Sequence, residues 1–374
     1  MHATETGDIR RPLHVAIAGG GTGGHLFPGI AVAEAFRMKD PDNEILFVGV
    51  GNPFEKAALE RAGYPQRTIA IEGIKGRGLW AKARAGLKIP VALFQAAGIL
   101  SEMRADLVVG VGGYAAGPVA MAAWFKRIPV VICEQNTVPG ITNRLLFPVA
   151  RRIFISFEAT RGRIDPEKKR VSGNPVRQSF LEGEDVEVRE KKGFTVLVVG
   201  GSQGAHAINM AFVAALPHLR KKKGIRIVHQ TGAADQENVA RAYAEAGIDA
   251  EVKAFFHDMA SRYRRADLVV CRAGATTVAE LTALGKAALF VPYPYAADNH
   301  QEFNARALVD AGAAQMVLEE DLSGVELAGR LDRLAENPTM LADMAARSRT
   351  LGKPEAAAFI VDDCYNLLSN EPCT

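Results

Sequence analysis

The sequence predicts an α/β protein of two similar halves, each built around a parallel sheet. Two glycine-rich loops carry this prediction: residues 19–24 follow the apolar run 13–18, and residues 200–204 follow the apolar run 195–199. Apolar runs of this length are typical of buried strands. Segments of helical length, rich in Ala, Leu, Glu and Arg, separate the runs. Such alternation favours parallel sheets with right-handed crossovers.

A second repeated pattern supports the same architecture. The letters ADLVV occur at residues 105–109 and again at 266–270, each time before a glycine-containing turn and a further apolar run. Any α/β protein has apolar strands followed by glycine, but here the order of the elements matches as well. We therefore predict an N-terminal domain over residues 12–175, a second domain over 176–350, and a C-terminal helix over 351–374 that packs back on the first domain.

The composition is that of a folded protein large enough for two domains. The chain has 374 residues, of which 48% are hydrophobic and 23% charged. Its four cysteines form no CxxC pair, which favours reduced thiols over disulfides or a zinc site. Residues 1–11 form a polar extension rather than a signal peptide, and the longest apolar run, residues 89–100, is shorter than the roughly 18–20 residues that span a membrane. Late helices are predicted over residues 322–337 and 354–369.

The first glycine loop lacks the partner that a dinucleotide cofactor needs. In a dinucleotide site, an acidic residue ends the second strand and binds the ribose. The second strand here, residues 44–49, runs into Gly51 without an acid. We therefore predict no dinucleotide and no other cofactor. Asp40 and Asp42 match a DxD pattern, but they lie in a polar connection without apolar flanks, so we predict a turn there and no metal.

Polar residues cluster where strands of the first half end. His25 closes the first glycine loop at a helix start, where it either acts as a general base or only caps backbone groups. A helix N-terminus disfavours the imidazolium ion and keeps the ring neutral. Residues 134–136 (Glu-Gln-Asn) end a later strand, at the sheet edge where open α/β sheets bind ligands. Arg177, at the domain junction, is a candidate contact for a phosphate or a hydroxyl group.

The second half carries a segment, residues 271–280, that suits a nucleoside diphosphate. Its small residues and two threonines, which can cap a helix, predict a helix start whose amides face a diphosphate. Glu280, about one turn further, either accepts hydrogen bonds from a ribose diol or is a solvated helix residue. A polar cluster over residues 298–304 suits a sugar with many hydroxyls, although it also fits an ordinary helix start.

Charge is divided unevenly between the halves: residues 1–177 carry +9 and residues 178–374 carry −6. A basic half favours an acidic partner, and the absence of an RNP motif, zinc finger or basic helix predicts no nucleic acid. Residues 73–101 contain five Lys or Arg and no acid, which favours reversible binding to an anionic membrane over a solvated basic loop. The predicted membrane contacts are Ile74, Lys75, Arg77, Leu79, Trp80, Lys82 and Arg84.

In their order along the chain, these motifs resemble those of the MurG family of bacterial cell-wall glycosyltransferases. The resemblance implies a GT-B architecture, with two Rossmann-like domains facing a central cleft. It implies transfer of N-acetylglucosamine from UDP-GlcNAc to the 4-hydroxyl of MurNAc in lipid I, undecaprenyl-pyrophosphoryl-MurNAc-pentapeptide, to form lipid II. It also implies a peripheral position at the cytoplasmic face of the plasma (inner) membrane, among other cell-wall synthesis proteins. The matching segments are GGGTGGH from residue 19, GVGGYAAGP from 110, EQN from 134, SGNPVR from 172, GGSQGA from 200, CRAGATTVAE from 271 and DNHQEFNA from 298.

The resemblance also assigns residues to the substrates, with the donor on the second domain and the lipid acceptor on the first. Because the donor sugar is α-linked and the product bond is β-linked, one displacement assisted by a general base suffices, and His25 is predicted to be that base. Phe256 would meet the uracil through its backbone, Glu280 would hold the ribose, and His300 or Gln301 would contact the sugar. The residues assigned to UDP-GlcNAc are Thr22, Gly23, Gly24, Asn136, Arg177, Ser202, Phe256, Gly274, Ala275, Thr276, Thr277, Val278, Glu280, His300 and Gln301.

Two kinds of alternative stay open. Another UDP-sugar enzyme of the same architecture, such as a 2-epimerase or a lipid glucosyltransferase, would share the glycine loops and Glu280. An epimerase would not need the basic apolar segment. A lipid glucosyltransferase would share that segment, so only an acceptor assay distinguishes it from an enzyme that uses lipid I. A non-catalytic protein that binds nucleotide sugars at the membrane would keep Glu280 but would not need His25.

Overall fold

The computed structural model describes residues 11–71, 79–183, 193–201, 203–219 and 224–369, and only the backbone of residues 79–87. The chain divides into two units. Unit 1 comprises Met1–Arg177 together with Lys353–Thr374, and unit 2 comprises Gln178–Gly352. Each unit has its own sheet and its own apolar core.

Unit 1 is built around a parallel sheet. Its described strands are β1 His14–Gly19, β2 Glu44–Gly49, β3 Gln66–Thr68, β4 Leu107–Gly112, β5 Val130–Glu134, β6 Arg152–Ile155 and β7 Lys169–Val171. They follow the order β3-β2-β1-β4-β5-β6-β7, so the chain begins in the middle, builds one edge and then crosses back to build the other. Strands β4 and β5 are buried along their whole length, and their residues are apolar except for Glu134 at the end of β5.

Helices cover both faces of this sheet. They include α1 Gly23–Lys39, α2 Pro53–Ala62, α3 Leu79–Glu102, α4 Ala116–Phe125 and α5 Ile141–Leu146. Phe36 of α1 and Leu59 of α2 belong to the core on one face, whereas Ala96 of α3 and Val119 of α4 belong to the core on the other. Asp40 and Asp42 lie in the turn between α1 and β2, where the carboxylate of Asp40 accepts the N–H of Asp42 at 3.0 Å.

Unit 2 repeats the arrangement of the central strands. Its described strands are β8 Phe194–Val199, β9 Ile225–Gln230, β10 Ala250–Lys253, β11 Leu268–Cys271, β12 Ala287–Phe290 and β13 Ala314–Met316. They are parallel and follow the order β10-β9-β8-β11-β12-β13. The first strand therefore lies between the second and the fourth in both units, and the prediction of two parallel α/β halves is confirmed.

The described helices of unit 2 pack around this sheet, and the chain then returns to unit 1 in a last helix, α14 Ala356–Ser369. Ile360 and Cys364 of α14 are fully buried in the same core as Phe36, and Arg152 is paired with Asp363 at 3.1 Å. The unit 2 helices are α6 Gln178–Leu181, α7 His206–Leu219, α8 Gln236–Ala246, α9 Met259–Arg265, α10 Ala275–Ala283, α11 His300–Asp310, α12 Gly324–Glu336 and α13 Pro338–Leu351.

Two aspartates explain the repeated letters ADLVV. The carboxylate of Asp106 accepts the N–H of His14 at 2.8 Å, and the carboxylate of Asp267 accepts the N–H of Thr195 at 2.9 Å. The N–H of each aspartate donates in turn to the carbonyl of the same partner. Each aspartate therefore ties the beginning of one central strand to the next, β1 to β4 and β8 to β11, and satisfies a strand-end amide.

Helix α13 of unit 2 was not predicted from the sequence. The two late helices that were predicted correspond to α12 and α14, but α13 lies between them. Asn337 is both the C-cap of α12 and the N-cap of α13, and Pro338 opens α13. No connecting loop separates α12 from α13. The cluster of turn residues that usually marks the boundary between two helices in a sequence is therefore missing here.

Candidate functional site

The first glycine loop lies at the carboxyl end of β1, where α1 begins. Gly19, Gly20 and Gly21 have φ values of 145°, 133° and 90°, a backbone that residues with side chains rarely adopt. Thr22 is the exposed N-cap residue of α1, and its carbonyl accepts the N–H of His25 at 3.2 Å. The glycines at 23 and 24 begin the helix. The loop therefore delivers His25 to the ligand-binding edge of the sheet.

A buried carboxylate that sequence reasoning missed holds this loop in place. The oxygens of Glu55, on α2, accept the N–H of Gly21 at 2.5 Å, the N–H of Gly51 at 2.7 Å and the side-chain amide of Gln66 at 3.0 Å. As the sequence indicated, β2 ends without an acidic residue, but Glu55 of the next helix places a carboxylate against the first glycine loop. The sequence signal was Asn-Pro-Phe-Glu at residues 52–55, with an N-cap, a proline at the first helical position and a glutamate at the third.

His25 is partly buried in the first turn of α1, with its ring directed at the ends of neighbouring strands. Its Nδ1 atom lies 3.2 Å from Oε1 of Gln135, the residue that follows β5. Burial lowers the pKa of His25 below its usual value of 6.5, although contacts with Gln135 and with the Val111 carbonyl act in the opposite direction. A neutral imidazole can accept a proton at neutral pH. This environment favours the general-base hypothesis over the backbone-cap hypothesis.

Glu134 organises the turn that carries Asn136. One oxygen of Glu134 accepts the N–H of Asn136 at 2.9 Å. The other accepts the N–H of Gly140 at 3.1 Å and the side-chain amide of Asn143 at 2.9 Å. Burial raises the pKa of Glu134, and these hydrogen bonds counteract that effect. Asn136 is thereby fixed at the same edge of the sheet as His25.

Arg177, the last residue of the N-terminal segment of unit 1, lies against α1. The central carbon of its guanidinium group is 4.0 Å from the ring centroid of Phe27, which is a cation–π geometry. Phe27 packs edge-on against Phe54 of α2, with 5.9 Å between ring centroids. An added Cβ at Gly23 would lie 2.9 Å from the Phe27 ring, so the glycine makes room for this stack. Unit 1 therefore brings Arg177 to the helix that carries His25.

In unit 2, α10 begins as expected of a diphosphate site, with one correction. Its N-cap is Gly274, not a threonine, and Thr276 and Thr277 lie within the first turn. Gly274 has an ordinary extended cap backbone, and because it has no side chain it leaves the helix end uncovered. The first intrahelical bond runs from the N–H of Val278 to the carbonyl of Gly274 at 2.9 Å. The N–H groups of residues 275–277 precede that bond and are the ones that a helix end offers to an anion.

Glu280 lies further along α10 and is only 6% exposed, so the hypothesis of a solvated helix residue is wrong. Burial, together with the nearby charge of Glu280, raises the pKa of the Cys271 thiol well above its usual range. The thiol is therefore neutral at neutral pH. A buried carboxylate is stabilised by hydrogen-bond donors.

Gln230, at the end of β9, connects the second glycine loop to Phe256. Its amide nitrogen donates to the carbonyl of Gly201 at 2.9 Å, and its amide oxygen accepts the N–H of Phe256 at 2.8 Å. Gly204, with a φ of 81°, approaches the next strand end so closely that a Cβ would lie 2.0 Å from the carbonyl oxygen of Thr231. The backbone of Phe256 was assigned to the uracil. Its N–H is already bonded to Gln230, so its carbonyl is the group that would contact the uracil.

The loop after β12 carries the predicted sugar contacts. Oε1 of Gln301 accepts the N–H of Tyr293 at 3.0 Å, which leaves its amide nitrogen as a donor. Nδ1 of His300 donates to the carbonyl of Ala297 at 2.7 Å, which leaves Nε2 as an acceptor. Arg272, which sequence reasoning missed, donates to two carbonyls at the start of this loop, at 3.0 and 3.1 Å. The loop therefore offers a sugar hydroxyl both a donor and an acceptor.

Several predicted residues lie outside the described part of the chain. Among the residues that are described, no helix has both the length and the apolar composition needed to cross a membrane, and no cluster of three or more His, Cys, Asp or Glu could hold a metal ion. Ser202, Ile74, Lys75 and Arg77 are not described, and Leu79, Trp80, Lys82 and Arg84 lie at the start of α3, where only the backbone is described.

Comparisons with known proteins match both units. The glycosyltransferase family 28 N-terminal domain matches residues 15–155, and the glycosyltransferase family 28 C-terminal domain matches residues 195–360. A relative from Syntrophus aciditrophicus (strain SB) is 48% identical over 95% of this chain and 99% of its own length. One from Myxococcus xanthus (strain DK1622) is 46% identical over 95% and 93%. Both are named UDP-N-acetylglucosamine–N-acetylmuramyl-(pentapeptide) pyrophosphoryl-undecaprenol N-acetylglucosamine transferase.

Solved structures show the same similarity. The crystal structure of MurG from Acinetobacter baumannii is 34% identical, with a TM-score of 0.75 over 94% of this chain and 98% of that one. A putative UDP-N-acetylglucosamine 2-epimerase from Listeria monocytogenes has a TM-score of 0.70 over 97% and 98%, but at 14% identity it shows a common fold alone. The motifs, the two parallel α/β units and the sequence matches agree: the chain belongs to glycosyltransferase family 28, as its resemblance to the MurG family predicted.

Proposed function

We propose that the chain transfers N-acetylglucosamine from UDP-GlcNAc to the 4-hydroxyl of MurNAc in lipid I, with lipid II and UDP as products. One observation carries the proposal: relatives named for this transfer are 46–48% identical over 94–95% of the chain, a match that includes both units. The side chains at the two sheet edges have the chemistry that this reaction needs.

The donor nucleotide is proposed to bind unit 2. The uracil would donate its N3–H to the carbonyl of Phe256, whose N–H is held by Gln230. The ribose diol would donate to Glu280, whose burial strengthens such hydrogen bonds. The sugar hydroxyls would meet the amide nitrogen of Gln301 and Nε2 of His300, the atoms that the loop hydrogen bonds leave available.

The base for the reaction is proposed to be His25, on unit 1. Its Nε2 would take the proton of the acceptor hydroxyl as that oxygen forms a bond to the anomeric carbon of the donor sugar. The bond from this carbon to the diphosphate oxygen breaks, and UDP leaves with the electron pair. Attack from the side opposite the leaving group converts an α-linked donor into a β-linked product. The lowered pKa of His25 supports this role, since it keeps the imidazole neutral.

The leaving diphosphate gains negative charge as the bond breaks. The N–H groups of residues 275–277 and the positive end of the α10 dipole would stabilise that charge. Gly274 leaves this helix end uncovered by a cap side chain.

A lipid acceptor also requires contact with the membrane, and we propose residues 74–84 together with the exposed side of α3 as that contact. Residues 73–101 contain no acid. Further along α3, Val91 and Phe94 are 50% and 81% exposed, so the apolar character of the segment continues on the surface of the helix. Cations attract the segment to an anionic surface and apolar side chains enter the interface, which supports peripheral binding on the cytoplasmic face of the plasma membrane.

The experiment is transfer of labelled N-acetylglucosamine from UDP-GlcNAc to a lipid I analogue, followed by chromatography of the lipid product. UDP-glucose as donor and diacylglycerol as acceptor are the controls. Product in the first combination alone is the expected result. Product with diacylglycerol would favour the lipid glucosyltransferase alternative. Release of the 2-epimer of UDP-GlcNAc without lipid product would favour the epimerase alternative, whose fold the chain shares.

A further inference from the structure

The proposed reaction depends on which ring nitrogen of His25 carries the proton. A neutral imidazole has one N–H and one lone pair, and only the nitrogen with the lone pair can act as a base. Nδ1 faces Gln135, at 3.2 Å. For Nε2 to be the base, as the proposed function requires, the proton must reside on Nδ1.

The orientation of the Gln135 amide is determined by its other contacts. Its nitrogen donates to the carbonyl of Val111 at 3.0 Å and to the carbonyl of Cys133 at 3.1 Å. With the amide turned around, its oxygen would face two carbonyl oxygens in a buried place, because Gln135 is only 1% exposed. Oε1 therefore faces His25.

An amide oxygen can only accept a hydrogen bond, so Nδ1 of His25 must donate. We propose that Gln135 is a positioning residue for the base: it fixes the proton of His25 on Nδ1 and thereby presents the lone pair of Nε2 to the acceptor hydroxyl. The inference rests on the proposed function only for the role of Nε2 as the base that deprotonates the acceptor hydroxyl. The tautomer itself follows from the contacts of Gln135.

Gly112 supports the same arrangement from β4. Its φ is 94°, and an added Cβ would lie 2.7 Å from Nδ1 and 2.8 Å from Cε1 of His25. The ring therefore fits against β4 only because this residue is a glycine. Three segments far apart in the sequence thus meet at one imidazole: the start of α1, the carboxyl end of β4 and the residue that follows β5.

The direct test is the tautomer of His25 in the intact protein. Long-range proton–nitrogen correlation spectra of protein labelled with ¹⁵N-histidine distinguish a protonated from an unprotonated ring nitrogen. The spectrum of His25→Gln identifies the signals of His25 among the eight histidines. At a pH where His25 is neutral, we expect the proton on Nδ1. A proton on Nε2 would overturn the proposal, and this measurement requires no Gln135 variant to fold.

A variant tests the consequence for the reaction. Gln135→Met keeps the length of the side chain but removes the acceptor, so kcat should fall roughly 10- to 100-fold while the affinity for UDP is unchanged. Because the contact with Gln135 raises the pKa of His25, the acid limb of the pH–rate profile should also move to lower pH. If Gln135 only supported the local structure, its replacement would lower kcat but would not move the acid limb of the pH–rate profile. Gln236→Met, at a partly exposed glutamine of α8 in unit 2, is the matched control.

The outcomes separate this inference from the proposed function. Transfer to lipid I with the proton of His25 on Nε2, or a Gln135→Met variant whose kcat and acid limb match those of Gln236→Met, would overturn the inference and leave the proposed function in place. A protein that carries its proton on Nδ1 but transfers nothing to lipid I would overturn the proposed function instead. Nδ1 protonation, a lower kcat and a shifted acid limb together would support both.

Discussion

Glu55 accepts the backbone N–H of Gly21 at 2.5 Å, so a carboxylate from α2 is bound inside the glycine loop that leads to His25. Glycine loops at helix starts typically offer their N–H groups to anionic ligands. Here the protein itself supplies an anion to one of those groups. Glu55 is completely buried and also bonds to Gly51 and Gln66, so the loop is joined to α2 and β3 without any ligand.

Replacing Glu55 with Gln should destabilise unit 1 and slow the reaction. All three described partners of the carboxylate are N–H donors, so an amide nitrogen would meet another donor. We expect a loss of about 1–3 kcal/mol of unfolding free energy and a lower kcat, because the position of His25 depends on the loop. The affinity for UDP should not change. Urea unfolding, transfer assays and calorimetry check this, with Glu60→Gln on the exposed side of α2 as control. A Glu55→Gln variant indistinguishable from the control would contradict the role of Glu55 in holding the glycine loop.

Replacing Glu280 with Gln should weaken nucleotide binding without unfolding unit 2. An amide offers one acceptor where the carboxylate offers two, and it removes the charge that strengthens the ribose hydrogen bonds. We expect roughly a tenfold or greater increase in the Kd for UDP, measured by calorimetry at neutral pH. Glu237→Gln, on the exposed side of α8, is the matched control. An unchanged Kd in Glu280→Gln would remove the ribose assignment.

If residues 74–84 and α3 contact the membrane, binding of the protein to anionic vesicles should depend on the charge of this segment. Combined replacement of Lys82 and Arg84 by Ala should weaken binding to vesicles that contain anionic lipid by about 1 kcal/mol per lost cation. Co-sedimentation measures this, and added salt should weaken the binding of the unmodified protein. The control replaces two exposed arginines of unit 2, Arg241 and Arg333, and so makes the same change in net charge. Equal losses in the two double variants would show that net charge alone matters.

A buried histidine of unit 2 predicts loss of stability in mild acid. His229 is bonded to Tyr243 and Asn209, at 3.0 Å each, and burial lowers its pKa to about 3, against the opposing charge of Asp235. Below its ordinary pKa of 6.5, only the unfolded chain binds this proton. The stability is therefore complete above pH 6.5 and should fall by up to about 1.4 kcal/mol per pH unit between pH 6.5 and 3.

Urea unfolding at pH 7.5, 6.5 and 5.5 measures this pH dependence. His229→Gln should be less stable at pH 7.5 but should show a smaller loss on acidification than the unmodified protein. The exposed His218→Gln is the control and should keep the full loss. If His229→Gln lost as much stability between pH 6.5 and 5.5 as the control, a different group would be responsible for the acid sensitivity.

The sequence predicted the fold well because its signals are local. An apolar run, a glycine turn and a helix start occupy neighbouring positions, and the strand expected over residues 44–49 is β2. The same locality placed His25 and Glu280 in the helices that directly follow strand ends, the side of a parallel sheet that binds ligands. The repeat ADLVV was recognised by its letters, and its cause, an aspartate that bonds to the neighbouring strand, became visible only in three dimensions.

The parts that the sequence did not predict depend on contacts between distant segments. Glu55 reaches Gly21 across 34 positions, and Gln135 reaches His25 across 110. The sequence around Glu55 or Gln135 does not indicate which distant residue it contacts. The sequence offered Thr276 and Thr277 as possible caps of α10, but the N-cap is Gly274, two residues before Thr276. Glycine and threonine are about equally good N-caps, so residue type alone does not choose between them.

The most direct test of the account compares single-turnover transfer to a lipid I analogue by the unmodified protein and by His25→Ala, with UDP binding measured in the same samples. His218→Gln controls for the loss of a histidine. We expect transfer by the unmodified protein, a fall of roughly 10²- to 10⁴-fold in His25→Ala, and equal UDP affinity in all three. Transfer by His25→Ala at the rate of the control would contradict the assignment of the base, and no transfer by any of them would contradict the proposed function itself.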